Sequence, residues 1–343
     1  GQCWSNCIVE YCYFSNNGST SSSATHNSAH INIFSDYRTN EIAKDGFYND
    51  RPTNSRNIYR YNIFDGSVPV AIKHKQTQFF SGRNPSAGLG YIDTYKTFGD
   101  DIHHNIFLDS TIYAIDARQD FVQIHNNIFD NSKSAIIVSE ADTHPIFKAT
   151  VYNNTIISQG KHGIGWTNYP YYKSASHGFD QDPNLYGYGY NNILDGCGSS
   201  WDSEDMTAWR PSAYTTANFD NLLWDRNFFY RPAKGQNDAN GTYAVMVGNG
   251  NSARMTVEDY QQTHPGVKLW LREYSAENPL YKGSEGADKY RINTGYQLEN
   301  GITPVNAGIG IPHPYLPGKN IPSYLGAANP NDNQWVNGVL SLR

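Results

Sequence analysis

The sequence predicts an all-β solenoid, in which short strands wind repeatedly and each coil lies on the one before. Three observations carry that expectation. An Asn-keyed line recurs: AHINIF at Asn32, YRYNIF at Asn62, IHHNIF at Asn105, IHNNIF at Asn127 and VYNNTII at Asn154. Ten residues after each key Asn comes an isoleucine, at Ile42, Ile72, Ile115, Ile137 and Ile164. The composition, with 26 Tyr, 30 Gly and only 3 Met in 343 residues, suits short strands joined by polar turns better than helices.

Each row then reads as three strands. The first leads into the key Asn, where the chain turns sharply. Asn tolerates the left-handed conformation such a turn needs, and stacked Asn side chains can bond in a ladder. After it come Ile33, Ile63, Ile106, Ile128 and Thr155, then Phe34, Phe64, Phe107, Phe129 and Ile156, both read as interior columns. The third strand surrounds the later Ile. Rows are spaced by 30, 43, 22 and 27 residues, so insertions fall between strands. A coil of about 22 residues cannot bury its apolar face alone and stacks on its neighbours.

Strand alternation orients what remains. On the third strand Lys73, Lys75, Asp116, Arg118 and Glu140 fall outward. Two residues before each key Asn stand His30, Arg60, His103, His125 and Tyr152, which read as a polar ladder because stacked coils spread histidines too far apart to converge on a metal. The longest insertions, residues 76–100 and 168–189, both follow the third strand, and Tyr169, Tyr171 and Tyr172 supply rings that can stack on sugar. Residues 1–255 form the coil, its first turn lacking an obvious cap, and residues 256–343 form an irregular C-terminal segment.

Bulk properties exclude some classes. With 17% charged residues and a net charge of −6, the chain has no basic surplus for nucleic acid. No apolar run is long enough to span a membrane. The opening Gly1-Gln2-Cys3 reads as a processed or fragment start. Cys3, Cys7 and Cys12 lack zinc-site spacing and suggest a local disulfide, hence an extracellular or cell-surface setting. Asn17, Asn153 and Asn240 begin N-x-S/T triplets, glycosylation acceptors in a eukaryotic host.

Strand, Asn-Asn turn, strand and G/A-I-x-x strand together resemble the right-handed parallel β-helix of the pectate-lyase-like superfamily, over residues 8–230. The tail, with SAENPLYKG and IPSYLGAANPNDNQW, resembles the closing segment of secreted β-helix proteins and implies a cap over the last coil. In that superfamily the outward face of the third strand lines the saccharide groove. More narrowly, NEIAK (40–44), NIYRYNIF and VAIKHK (70–75) resemble the polysaccharide lyase family of chondroitinase B and alginate lyases. The resemblance implies Lys44 as the base, Lys73 in place of the catalytic Arg, His74 matching the family's His, and Glu41 matching a calcium-ligating acid. Thr39 replaces the second acid, Lys75 replaces a Gly, and strict alternation turns Lys44 and His74 inward.

The expected chemistry is β-elimination on a uronate-containing glycan. It needs a cation to neutralise the carboxylate, a base for the C5 proton and an acid for the leaving oxygen. Lys44, Lys73, His74 and Arg118 supply these types, with Lys75, His103, His125 and the three tyrosines as substrate contacts. No cofactor is required, and calcium is the one metal the resemblance admits. A second reading makes Asp116 and Glu140, on adjacent coils and displaced by two residues, an inverting glycosidase pair roughly 8 Å apart. A third is non-catalytic: Lys73 pairs with Asp116 and Arg118 with Glu140 across strands, on a glycan-binding adhesin or a self-associating fibre subunit.

Overall fold

The computed structural model describes residues 7–15, 29–34, 57–66, 69–75, 99–117, 122–139, 149–157, 163–168, 187–195, 197, 209–213, 222–230, 245–246, 254–255, 262, 268–271, 310–312, 318–324, 326–327 and 334–343. Three files of parallel strands run through them. The first holds β1 (Ile8–Glu10), β4 (Ile58–Arg60), β7 (Asp101–His103), β10 (Gln123–His125), β13 (Ala149–Tyr152) and β16 (Gly187–Tyr190). The second holds β2 (Tyr13–Ser15), β5 (Ile63–Asp65), β8 (Ile106–Leu108), β11 (Ile128–Asp130), β14 (Thr155–Ile157) and β17 (Ile193–Asp195). The long β19 (Leu222–Tyr230) joins both, pairing with β16 and then β17. The third file holds β3 (Ala29–Phe34), β6 (Val70–Lys75), β9 (Tyr113–Ala117), β12 (Ile136–Ser139), β15 (Ile164–Asn168) and β18 (Trp209–Ala213). This is a parallel β-helix, the solenoid that the repeats predict.

The turn between the first two strands sets the repeat. Its left-handed residue is the one before the key Asn: Tyr11, Tyr61, His104, Asn126, Asn153, Asn191 and Arg226 all have φ between 49° and 57°. That corrects the expectation that the key Asn itself turns the chain. The key Asn is freed for bonding. Asn105 Nδ2 donates to Asn127 Oδ1 at 3.0 Å and to the Tyr59 carbonyl at 2.8 Å, while Asn127 Oδ1 also accepts the Asn105 amide at 3.0 Å. The same pattern runs through Asn62, Asn105, Asn127, Asn154, Asn192 and Asn227, all 0% exposed. Cys12 heads this file, its amide bonded to Asn62 Oδ1. Every buried amide in the ladder therefore finds an acceptor, as a buried polar column must.

One residue column forms the interior beside the ladder. Phe14, Phe64, Phe107 and Phe129 stack with ring centroids 4.8 Å apart and planes within 7°. That spacing is the distance between neighbouring strands. The adjacent column, Ile63, Ile106, Ile128 and Ile193, was also expected inside, but period-two alternation sends it outward. It forms a second apolar cluster with Ala327, Val336, Val339 and Leu340 from the C-terminal segment. Helix α1 (Gln334–Leu340) and residues 318–324 and 326–327 thus lie along the side of the coils, while Lys268–Leu271 of the same C-terminal segment pairs with β19. Gly326 fits there because its φ is +77°, and a Cβ would come within 2.6 Å of Thr155 Oγ1.

Three further corrections concern register. AHINIF is β3, a third strand: Asn32 faces Lys73, not Asn62, so Asn32 begins no row, and Ile42 lies outside the described residues. The rows at Cys12, Asn192 and Asn227 take its place. In the Asn127 row the internal isoleucine is Ile136, in line with Ile72, Ile115 and Ile164, while Ile137 faces Asp116. His30 likewise leaves the outer column, its ring about 6 Å from those of Phe14 and Phe64, and burial lowers its pKa to about 4. Where the third strand meets the next coil, Trp166 is 1% exposed and occupies the space beside Gly187. A Cβ on Gly187 would sit 2.1 Å from the Trp166 ring.

Candidate functional site

Two outer faces carry chemistry. On the third file, Lys73 and Asp116 occupy aligned positions of β6 and β9. Ile72 before Lys73 is in the core, so Lys73 falls on the outward side, as predicted. Yet the two side chains are withdrawn from water, Lys73 at 3% exposure and Asp116 at 0%. Neither is without a partner. This is not the solvated ion pair of an open sheet.

His74 points the other way. It is 0% exposed, and its Nε2 lies 3.1 Å from Asp100 Oδ2 in the corner between the third strand and the next coil. Asp100 Oδ1 accepts the Asn57 amide at 2.7 Å, and Asn57 Oδ1 accepts the Cys7 amide at 3.0 Å. The pair closes a buried polar corner, so His74 does not reach the face where a glycan would lie. The signal for Asp100 was present: five residues before successive ladder positions stand Cys7, Asn57 and Asp100.

Of the remaining sequence candidates, Lys75 ends β6, facing Phe34 in the ladder. Lys44, Glu41, Arg118, Glu140, Tyr169, Tyr171 and Tyr172 lie outside the described residues. The shift at Ile137 nevertheless alters one inference. Asp116 faces Ile137, three residues before Glu140, so the two-residue displacement assumed for an inverting pair does not hold in this register.

The first file carries the second face. Its outer column reads Glu10, Arg60, His103, His125, Tyr152 and Tyr190 in ladder register. His103 stacks on His125 with centroids 5.0 Å apart, and His125 on Tyr152 at 4.6 Å. Arg60 bridges Glu10 at 2.7 Å. Asp101, outward on β7, holds His125 Nε2 at 2.9 Å, and His104 sets its Nδ1 2.7 Å from that of His103. Burial lowers His103 to about 4 and His104 to about 3, and the charge of His125 adds to both. For Asp101 burial works upward, but His125, by charge and by hydrogen bond, holds its carboxyl well below the usual range. Sequence reasoning found the column but missed Asp101 and His104, whose positions carry different residue types in other coils.

The C-terminal segment closes over this edge. Trp335 meets His104 edge-on at 5.0 Å, and Asn126 Nδ2 donates to Tyr324 Oη at 2.7 Å and to the Ala327 carbonyl at 3.0 Å. Asn153 donates to the Tyr324 carbonyl and Asn191 to the Pro322 carbonyl. Asn153 is thus buried and engaged, which removes it as a glycosylation acceptor in the folded chain; Asn17 and Asn240 lie outside the described residues. Among the described residues no group of three or more His, Cys, Asp or Glu is arranged to hold a metal, and no disulfide joins Cys7, Cys12 or Cys197 to one another. No described helix is long and apolar enough to cross a membrane. No family model, curated protein or solved structure matches the chain.

Proposed function

We propose that this is a secreted carbohydrate-active β-helix that cleaves a uronate-containing glycan by β-elimination on the outer face of its third strand file. The observation that supports it is the aligned, water-shielded pair Lys73 and Asp116. Burying a charge pair is costly and seldom favoured by stability alone. A cation held in a water-poor site, however, attracts a carboxylate far more strongly than one in bulk water. Lys73 takes the role of neutralising the uronate, with Asp116 beside it in the register. Lys44 remains the proposed base and Arg118 a second cation. His74 takes no part in contacting the glycan.

The test is to follow the ultraviolet absorbance of the unsaturated product on alginate, pectate and chondroitin. Lys73→Ala lowers the rate by about a hundredfold or more if Lys73 stabilises the transition-state charge. A flat trace from the wild type on every acidic glycan overturns the proposal.

A further inference from the structure

We infer that His125 is a proton-dependent latch: as an imidazolium it holds the Asn126 amide in the orientation that ties down the C-terminal segment, and loss of one proton releases it. The inference starts from hydrogen-bond polarity. His125 Nε2 lies 2.9 Å from Asp101 Oδ1, and Nδ1 lies 2.8 Å from Asn126 Oδ1. In this state the orientation of the Asn126 amide is set, because its nitrogen sits 3.0 Å from the Ala327 carbonyl, which only accepts. Both ring nitrogens of His125 therefore face acceptors. Both must donate, and an imidazole that donates twice carries a charge.

The neighbours leave that charge to His125. His103 and His104 meet nitrogen to nitrogen at 2.7 Å, a contact that needs one of the two nitrogens bare. The groups facing His125 are Asp101 on its own face, His103 stacked on one side and Tyr152 on the other, with His104 edge-on. Arg60, itself paired with Glu10, acts on His103 from β4, and Lys319 and Tyr324 lie in the C-terminal segment near Asp101 and Tyr152. Asp101 is the anion that favours the imidazolium; Arg60 and Lys319 oppose it.

Removing one proton has a defined consequence. Asp101 keeps the proton on Nε2, so Nδ1 gives its proton to solvent and turns a lone pair toward Asn126 Oδ1. The amide relieves that repulsion by a half-turn, so that Nδ2 now donates to Nδ1. Oδ1 then faces the Ala327 carbonyl and that bond is lost, while the Tyr324 hydroxyl keeps its own only by reversing to donate to Oδ1. One proton on the sheet thereby controls the contact to a segment about 200 residues away in sequence.

The experiment records the ring-nitrogen resonances of His125, assigned with His125→Gln, from about pH 5 to about pH 10, together with hydrogen exchange at the amides of Ser323, Tyr324, Gly326 and Ala327, each rate divided by the intrinsic rate of a free amide at that pH. The expected result is two protonated nitrogens at the low end. Loss of the Nδ1 proton should then coincide with about a tenfold rise in exchange. Asp101→Asn should move both transitions down by roughly one pH unit or more. Asn126→Ala should raise exchange at every pH and abolish its pH dependence. A singly protonated His125 throughout overturns the latch, as does exchange that stays constant while Nδ1 titrates. So does an Asp101→Asn variant that exchanges faster at every pH without moving the midpoint.

Discussion

The asparagine ladder and the isoleucine file next to it differ by one position in the sequence and by everything in how they are stabilised. Each ladder Asn is satisfied by the coils above and below it, so the interior is complete wherever the repeat continues. The outward isoleucines have no such partner within the repeat. They are covered by Val336, Val339 and Leu340, residues roughly 140 to 280 positions further along. The comparison teaches that a solenoid can specify its inside locally while its outside depends on a remote segment.

The sharpest way to break the ladder is Asn127→Ala. It removes the acceptor for the buried Asn105 amide and the donor to the Ile102 carbonyl, leaving unpaired groups in a closed column. A loss of about 3–5 kcal/mol is expected in urea unfolding. Gly187→Ala tests the interior by volume instead, and should cost about 3 kcal/mol because the rigid Trp166 ring has nowhere to go. Adding Trp166→Leu should recover part of that, a coupling that a double-mutant cycle reads directly.

On the outer file, Val339→Ala should cost only about 1.5 kcal/mol, seen as a lower urea midpoint. If it costs as much as the ladder change, the distinction between the two regions fails. At neutral pH the smallest effect is electrostatic. His103 and His104 are held neutral when folded, with pKa values near 4 and 3, against about 6.5 when unfolded. The unfolded chain therefore binds more protons below about pH 6.5, and stability falls as pH drops from there through about 4 to 3. Asp101, held low by His125, adds a loss below about pH 4. His104→Gln should make that fall shallower all the way down to about pH 3 in thermal unfolding measured against pH.

Some of this was legible in the sequence and some was not, for identifiable reasons. The rows at Asn62, Asn105, Asn127 and Asn154 were readable because each coil repeats the same geometric demand and so the same residue types. AHINIF deceived because a third strand has the same alternation as a first, and nothing within six residues records which file it joins. The Ile136 register was lost because one residue fewer in a turn inverts every side chain beyond it. Lys73 and Asp116 were found as outward neighbours, but their burial was not foreseeable, since alternation gives direction and says nothing of what lies above. The row of outward isoleucines was itself a signal that went unread. An apolar stripe on a solvent face needs a cover.

What the sequence determined by itself is therefore the coil: its period, its asparagine ladder and its phenylalanine stack, because these arise from neighbours that repeat. The tertiary structure alone decided where the C-terminal segment lies, that His74 turns inward to Asp100, and that Asp101, His125 and Asn126 line up toward Ala327. Those contacts join residues that share no periodicity. Nothing in the local pattern constrains them until the coils are stacked and the chain returns along their side.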